Sequence, residues 1–466
     1  MTLDPTDWTP DQVTPELLET ESLGPCRVPS PFEGRRERFV SDDERILYPS
    51  RVSELTEHLK AADGRIPSFE AAGARRRIFF EPREIACGIV SCGGLCPGIN
   101  NVIRALVLTL SYGYGVRRIH GFRFGYAGVA GDAEVGPPLD LTPDLVEPIH
   151  RLGGSFLGSS RGPQDATRMV DELCRLGVRI LFTIGGDGTL RGASALAAEV
   201  RRRGLELAVV GIPKTIDNDI RLVERSFGFA TAVEEARRVI VGAHAEARGA
   251  LGGVGLVKLM GRHSGFITAH ATLANNDVNF CLVPEVPFAL EGEGGFLQAL
   301  EQRLAARRHA VVVVAEGVGQ ELMGPDSGER DASGNRRLRD IGPFLKERIK
   351  SHLKARGMSH TVKYIDPSYI VRSLPAGSVD AEYCLMLGQH AVHAGMAGRT
   401  DVMVGSWNGQ FTHVPLAAAT AGRKQIRPDG PLWTRVLEAT GQPCWPSTSQ
   451  DHRASGAARG GPEGAP

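Results

Sequence analysis

The chain has 466 residues, 42% of them apolar, which is enough for two or three hydrophobic cores at roughly 150 residues per domain. Fifty-four basic residues balance fifty-four acidic ones, so no general attraction to nucleic acid or an anionic membrane is expected, and any anion must be held by a local constellation. The opening MTLDPTDWTP has acids and prolines where a signal peptide needs a basic end and an apolar stretch, and no apolar run approaches transmembrane length. These features predict a cytoplasmic protein without nucleic-acid or membrane partners.

Residues 1–84 are rich in charge and proline, with a helical pattern over 43–62, and read as an extension packed on a core or a partner. From residue 85 the character changes. Short apolar runs at 85–90, 178–184, 206–212, 254–260 and 310–316 alternate with helical stretches, the pattern of parallel strands covered on both faces. The predicted fold is α/β, with two doubly wound domains of mostly parallel sheets plus the N-terminal extension. The first domain is placed at 85–228 and completed by about 374–412, and the second at 229–373. A C-terminal segment follows at 413–446, and the Gly-, Pro- and Ser-rich end at 447–466 reads as a disordered tail. The eight cysteines are scattered without a disulfide framework, which fits a reducing compartment. Cys92 and Cys96 flank a glycine turn with no His or Cys cluster nearby in sequence, and read as small residues lining that turn rather than as zinc ligands.

Four glycine-rich or polar stretches stand at predicted strand ends, where α/β sheets bind ligands. SCGGLCPGIN (91–100) leads into a helix, so its amides could meet a phosphate; close strand–helix packing would serve equally well. LGGSFLGSSRG (152–162) ends in Arg161, a charge suited to a phosphoryl group or a solvated surface position. In IGGDGTLRGA (184–193), Asp187 offers a carboxylate to Mg²⁺, Gly188 leaves space and Thr189 opens a helix; the alternative is a capped turn. In GIPKTIDNDI (211–220), Asp217 and Asp219 would face one side of an extended segment, suiting one metal ligand and one general base. The alternative there is an Asx turn that caps the next helix.

Over about 85–410 the ordered motifs GGLCPGIN, FLGSSRG, GGDGT, PKTIDND, LMGRHSG, VAEG and YIVR resemble the ATP-dependent 6-phosphofructokinase family. GGDGT alone is shared with NAD and lipid kinases, whereas PKTIDND and MGR at this spacing are specific. The resemblance implies a phosphofructokinase-like fold and phosphoryl transfer from MgATP to the 1-hydroxyl of fructose 6-phosphate. It implies Asp217 as base and Thr215 against the transferred phosphoryl, with Arg161, Lys214 and Arg262 stabilising charge. Asp187 and Asp219 would hold Mg²⁺. Gly93, Gly94, Arg161, Gly186, Asp187, Gly188 and Thr189 would line the nucleotide site. Met260, Gly261, Arg262, Glu316, Lys363, Tyr369 and Arg372 would join Thr215 and Asp217 around the sugar phosphate, Arg372 on its 6-phosphate. Taken singly, Glu316 could be a helix cap and Arg372 a surface ion pair. A homodimer or homotetramer is also implied.

Two features depart from the bacterial members. Gly253 and Lys363 stand where arginines would grip the 6-phosphate in a neighbouring subunit's site. Lys214 is typical of pyrophosphate users, but these carry an aspartate where this chain has Gly188, and a carboxylate there would repel an ATP α-phosphate. ATP is therefore the expected donor. Pyrophosphate transfer on the same site, or a non-catalytic nucleotide sensor on the same fold, are the alternatives. The basic loop AGRKQIRPDGPLW (421–433) reads most simply as a solvated turn, with binding of a phosphate effector as the alternative.

Overall fold

The computed structural model describes residues 13–34, 38–60, 64–325, 328–330 and 337–445. The tail expected at 447–466 lies outside them. The chain divides into two units, the first made of Met1–Glu235, Ser327–Arg337 and Ser368–Gln425, the second of Ala236–Asp326, Leu338–Pro367 and Ile426–Pro466. In chain order the first unit contains β1 (Arg45–Leu47), β2 (Ser68–Ala71), β3 (Ala86–Ser91), β4 (Arg118–Phe122), β5 (Leu139–Asp140), β6 (Val178–Gly185) and β7 (Ala208–Pro213). The second holds β8 (Gly253–Leu259), β9 (Phe280–Leu282), β10 (His309–Ala315) and β11 (Thr361–Ile365), and β12 (Val402–Trp407) and β13 (Gln410–Pro415) belong to the first.

The first unit is built on one sheet of order β1-β2-β13-β12-β7-β6-β3-β4-β5. Its centre, from β12 to β4, is parallel, and antiparallel strands close both sides. Burial on both faces explains the nearly unbroken apolar runs: every residue of β3 and of β7 is buried. Along β6, Leu181 joins the core formed with helices 166–175 and 187–202, while its neighbour Ile180 meets helix 378–396 on the other face. There a Cβ on Gly395 would lie 2.6 Å from Ile180, so glycine allows the helix to sit directly on the strand.

The helical pattern read over 43–62 is only partly realised. Val52–Lys60 is a helix, but Arg45–Leu47 is an edge strand whose burial alternates, too short to announce itself locally. The extension is thus part of the sheet. Glu70 on β2, almost fully buried, accepts hydrogen bonds from Arg75 (2.9 Å) and Arg399 (2.7 Å) and locks the extension to the unit.

The second unit is a four-stranded, wholly parallel sheet of order β9-β10-β8-β11. Val254, Leu256, Val312 and Val314 pack against Phe296 and Leu300 of helix 296–307 and Leu345 and Ile349 of helix 341–355. Asp340 caps the latter helix, its carboxylate accepting from the Gly342 amide at 3.1 Å. Among the described residues no helix is long and apolar enough to cross a membrane.

Candidate active site

In the first unit, β7, β6 and β3 lie side by side and end together, with Pro213 opposite Gly185 and Ser91 opposite Ile184. Three of the four stretches therefore emerge from adjacent strand ends. The Cys92 amide donates to Ile184 O (3.0 Å) and the Lys214 amide to Gly185 O (2.9 Å), carrying the ladder one step past the strands. The fourth stretch joins through Ser159, whose hydroxyl donates to Gly93 O at 2.5 Å, while the Gly93 amide donates to Ser160 O at 3.0 Å.

Lys214 is buried and its ammonium donates to Gly94 O at 2.6 Å. Burial, and secondarily the charge of Arg161, pull its pKa below the ordinary lysine value. A Cβ on Gly94 would lie 3.4 Å from the Arg161 guanidinium, so Gly93, Gly94, Arg161 and Lys214 form one basic, amide-lined corner. Gly186 and Thr189 frame the adjacent turn. Gly186 is the N-cap of helix 187–202, and the Thr189 carbonyl accepts from the Tyr126 hydroxyl at 2.7 Å. At Gly188 a Cβ would meet nothing within 4 Å, so this helix start opens onto free space.

Asp187 is the first residue of that helix, directly after the N-cap Gly186. Its Oδ2 lies 2.9 Å from Arg191 and 3.1 Å from Arg423, side-chain partners rather than the backbone amides of a capped turn. The Asp217–Asp219 segment is a turn rather than the extended segment expected, with Asn218 in the left-handed region at φ 55°. The turn is pinned from several sides. Thr215 Oγ1 donates to Asp219 (2.9 Å) and accepts from the Asp217 amide (3.2 Å), and Asn218 Oδ1 accepts from the Ser226 amide (2.9 Å). It does not cap a helix, since the next begins only at Phe229.

The basic loop, expected most simply as a solvated turn, contributes two groups to the site. Lys424, 1% exposed, donates to Asn218 Oδ1 (3.3 Å), Val223 O (3.0 Å) and Glu224 O (3.0 Å), and its amide donates to Asp219 O (2.9 Å). Arg423 reaches Asp187. No local pattern marks a lysine destined for a nest of carbonyls, so both charges look like surface residues in the sequence. Asp187 and Asp219 line one small cleft together with Leu190, Ile220, Gly422 and Arg423. Two hard carboxylates facing one space fit Mg²⁺, which usually takes one or two protein carboxylates and completes its shell with water and substrate phosphates.

Tyr369 and Arg372 lie on the short helix 368–373, also in the first unit. The Arg372 guanidinium stacks on the Tyr369 ring at 4.6 Å, and its Nε is buried without a hydrogen-bond partner among the described residues. In the second unit, Met260, Gly261 and Arg262 follow β8 and Glu316 follows the neighbouring β10. The Glu316 amide donates to Leu259 O (2.9 Å) and the Gly317 amide to Gly261 O (3.1 Å), bringing these two strand ends together. Gly261 needs its glycine, with φ 129°. Lys363 lies apart from them, mid-strand on β11 opposite Gly255, its ammonium 3.7 Å from Glu246. Gly253 could not be an arginine in this backbone, because a Cβ there would meet Ala247 O at 2.0 Å.

A unit that gathers four glycine-rich or polar loops at the ends of its parallel strands, in a chain with a second parallel α/β unit, defines a phosphoryl-handling class of α/β protein. The phosphofructokinase model matches residues 86–395, and the chain belongs to that family. It is 49% identical over 439 residues to an ATP-dependent 6-phosphofructokinase of Amycolatopsis methanolica, covering 92% of this chain and 95% of the relative. It is 45% identical over 435 residues to an ATP-dependent 6-phosphofructokinase of Trypanosoma brucei brucei, covering 92% and 88%. A solved pyrophosphate-dependent phosphofructokinase from Marinobacter aquaeolei shares the fold with a TM-score of 0.63 at 20% identity, over 76% of this chain and 91% of that one.

Proposed function

We propose that the protein is an ATP-dependent 6-phosphofructokinase, transferring the γ-phosphoryl group of MgATP to the 1-hydroxyl of fructose 6-phosphate. The observation that carries this reading is the register of β6 and β7, which sets GGDGT beside PKTIDND and turns Asp187 and Asp219 into one cleft. In-line phosphoryl transfer is mainly positioning and charge stabilisation, and the residues divide accordingly. Asp217 accepts the proton of the sugar hydroxyl, and Thr215, which holds the turn, faces the transferred group. Arg161, Lys214 and Arg262 neutralise charge on the phosphates. Gly93, Gly94, Gly186, Gly188 and Thr189 receive the nucleotide, and the open space at Gly188 favours ATP over pyrophosphate. Asp187 and Asp219 would hold Mg²⁺, which when bound screens the donor's negative charge.

On the acceptor side, Met260, Gly261, Arg262 and Glu316 bind the sugar, and Arg372, with its buried unbonded Nε, takes the 6-phosphate beside Tyr369. Lys363, which the resemblance implies as a further charge on that phosphate, lies apart on β11 beside Glu246, so the 6-phosphate role rests on Arg372. The family resemblance supports a cytoplasmic homodimer or homotetramer. The deciding assay measures ADP release by the purified protein with ATP, Mg²⁺ and fructose 6-phosphate, with a parallel arm in which pyrophosphate replaces ATP. Release that requires fructose 6-phosphate supports the reading. Turnover only with pyrophosphate, or with neither donor, overturns it.

A further inference from the structure

The loop that follows helix 416–420 brings a second kind of residue into the donor cleft. Arg423 lines it with Asp187 and Asp219, and its Nη2 lies 3.1 Å from Asp187 Oδ2. Arg191, one helical turn along from Asp187, reaches the same oxygen at 2.9 Å. The two guanidiniums differ in what fixes them. Arg191 is more than half exposed on its own helix, an ordinary i,i+4 pair. Arg423 is half-buried and arrives from a segment distant in sequence, and its backbone is held against the Asp219–Ile220 segment. An antiparallel bridge joins it to Ile220, and the next residue, Lys424, is anchored by amide and ammonium under the Asp217–Asp219 turn. A fixed backbone with a long side chain makes a pivot.

We propose that Arg423 is a donor-binding residue: the resting counter-ion of Asp187, which yields that carboxylate to Mg²⁺ and turns its guanidinium onto the phosphates of the incoming nucleotide. This rests on the phosphoryl-transfer reading above. The charge logic is local. With the cleft empty of substrate, a carboxylate aimed into it needs a cation, and Arg423 supplies one without competing permanently for the site. Once the metal charge arrives, the guanidinium is repelled from Asp187 and meets phosphate oxygens, for which its planar fork is suited. The arrangement also disfavours metal in the absence of nucleotide, because a free divalent ion must displace Arg423 without giving it a new anionic partner.

The test compares Arg423→Gln with Arg191→Gln in the full chain, after thermal unfolding has shown both to be folded. Two readouts are used: Mn²⁺ binding to the protein alone, followed by the loss of the free-ion electron paramagnetic signal, and steady-state kinetics. Arg423→Gln is expected to bind Mn²⁺ alone at least threefold more tightly than wild type, and to raise KM for MgATP about tenfold while KM for fructose 6-phosphate stays within twofold. Arg423→Lys should fall between, because it keeps the charge and loses the fork. Arg191→Gln should change neither quantity by more than twofold. Unchanged Mn²⁺ affinity and MgATP KM in Arg423→Gln, or the same changes in Arg191→Gln, overturns the proposal. A wild-type protein without fructose 6-phosphate-dependent turnover defeats the functional reading instead, and the Mn²⁺ titration still reports whether Arg423 guards Asp187.

Discussion

Gly188 and Asp217 show how single positions divide the chemistry between selecting a donor and activating an acceptor. Because a Cβ at 188 projects into open space, Gly188→Asp should fold as wild type does, and its effect should fall on the ligand alone. Its carboxylate would face the nucleotide with bulk and like charge. We expect kcat/KM for ATP to fall at least tenfold with an unchanged melting temperature and unchanged affinity for fructose 6-phosphate. Steady-state kinetics with each substrate varied checks this, and an unaltered kcat/KM for ATP would separate Gly188 from the donor. Asp217→Ser should lower kcat by roughly 10²–10⁴-fold, the usual contribution of a general base, with little change in KM for fructose 6-phosphate. Retention of kcat within a fewfold would give the proton to another group.

At the scale of elements, the site depends on strand ends that lie in register, and this part of the molecule is legible in the sequence. The apolar runs at 178–184 and 206–212 correspond to β6 and β7 to within a residue or two, since strands buried on both faces are nearly all apolar, with only Arg179 near the start of β6 exposed. Edge strand β1 is not legible, because three residues of alternating exposure carry too little pattern to compete with the helical periodicity around them. The conformation of the Asp217–Asp219 turn is also hidden. It is imposed by Ser226 and Lys424, groups that only the fold brings to Asn218. Between strand ends of the second unit the fit is close: a Cβ on Gly317 would stand 2.0 Å from Arg262 O, backbone that cannot give way without moving Arg262 itself. Gly317→Ala should therefore destabilise the protein by about 1–3 kcal/mol, the usual range for overpacking. It should also raise KM for fructose 6-phosphate severalfold while leaving KM for ATP alone. Denaturant titration and kinetics read the two effects separately.

For the whole molecule, one buried carboxyl in the second unit makes stability depend on pH. Glu285 lies in the second unit, where its Oε1 accepts from the Gly265 amide (3.0 Å) and the Ile426 amide (2.9 Å). Burial outweighs these bonds and pushes its pKa from 4.5 up to about 7. Between those values the folded protein binds more protons than the unfolded one, so this group's contribution to stability is greatest below about pH 4.5 and is lost as pH rises through 7. Glu285→Gln keeps an acceptor at the same place and removes the titration. The variant should match wild type near pH 4.5 and exceed it above pH 7, by about 3 kcal/mol at one unit of pKa per 1.36 kcal/mol. Melting temperatures of both proteins across pH 5 to 8 would show the gap widening with pH; parallel curves would locate the proton elsewhere.

The Lys424 ammonium has a consequence for the salts in which the protein works. A positive charge held by an amide oxygen and two backbone carbonyls stands in a nest of the kind that could otherwise coordinate K⁺ or NH₄⁺ from the medium. Because the chain carries its own monovalent ion, catalysis should be indifferent to which alkali cation surrounds it, and rates in sodium and potassium chloride at equal ionic strength should agree. Lys424→Ala would vacate the nest and turn the protein into a cation-requiring one, with kcat depressed in sodium and partly restored by ammonium. A folded Lys424→Ala protein that ignores ammonium would mean that the nest serves only to pack the loop.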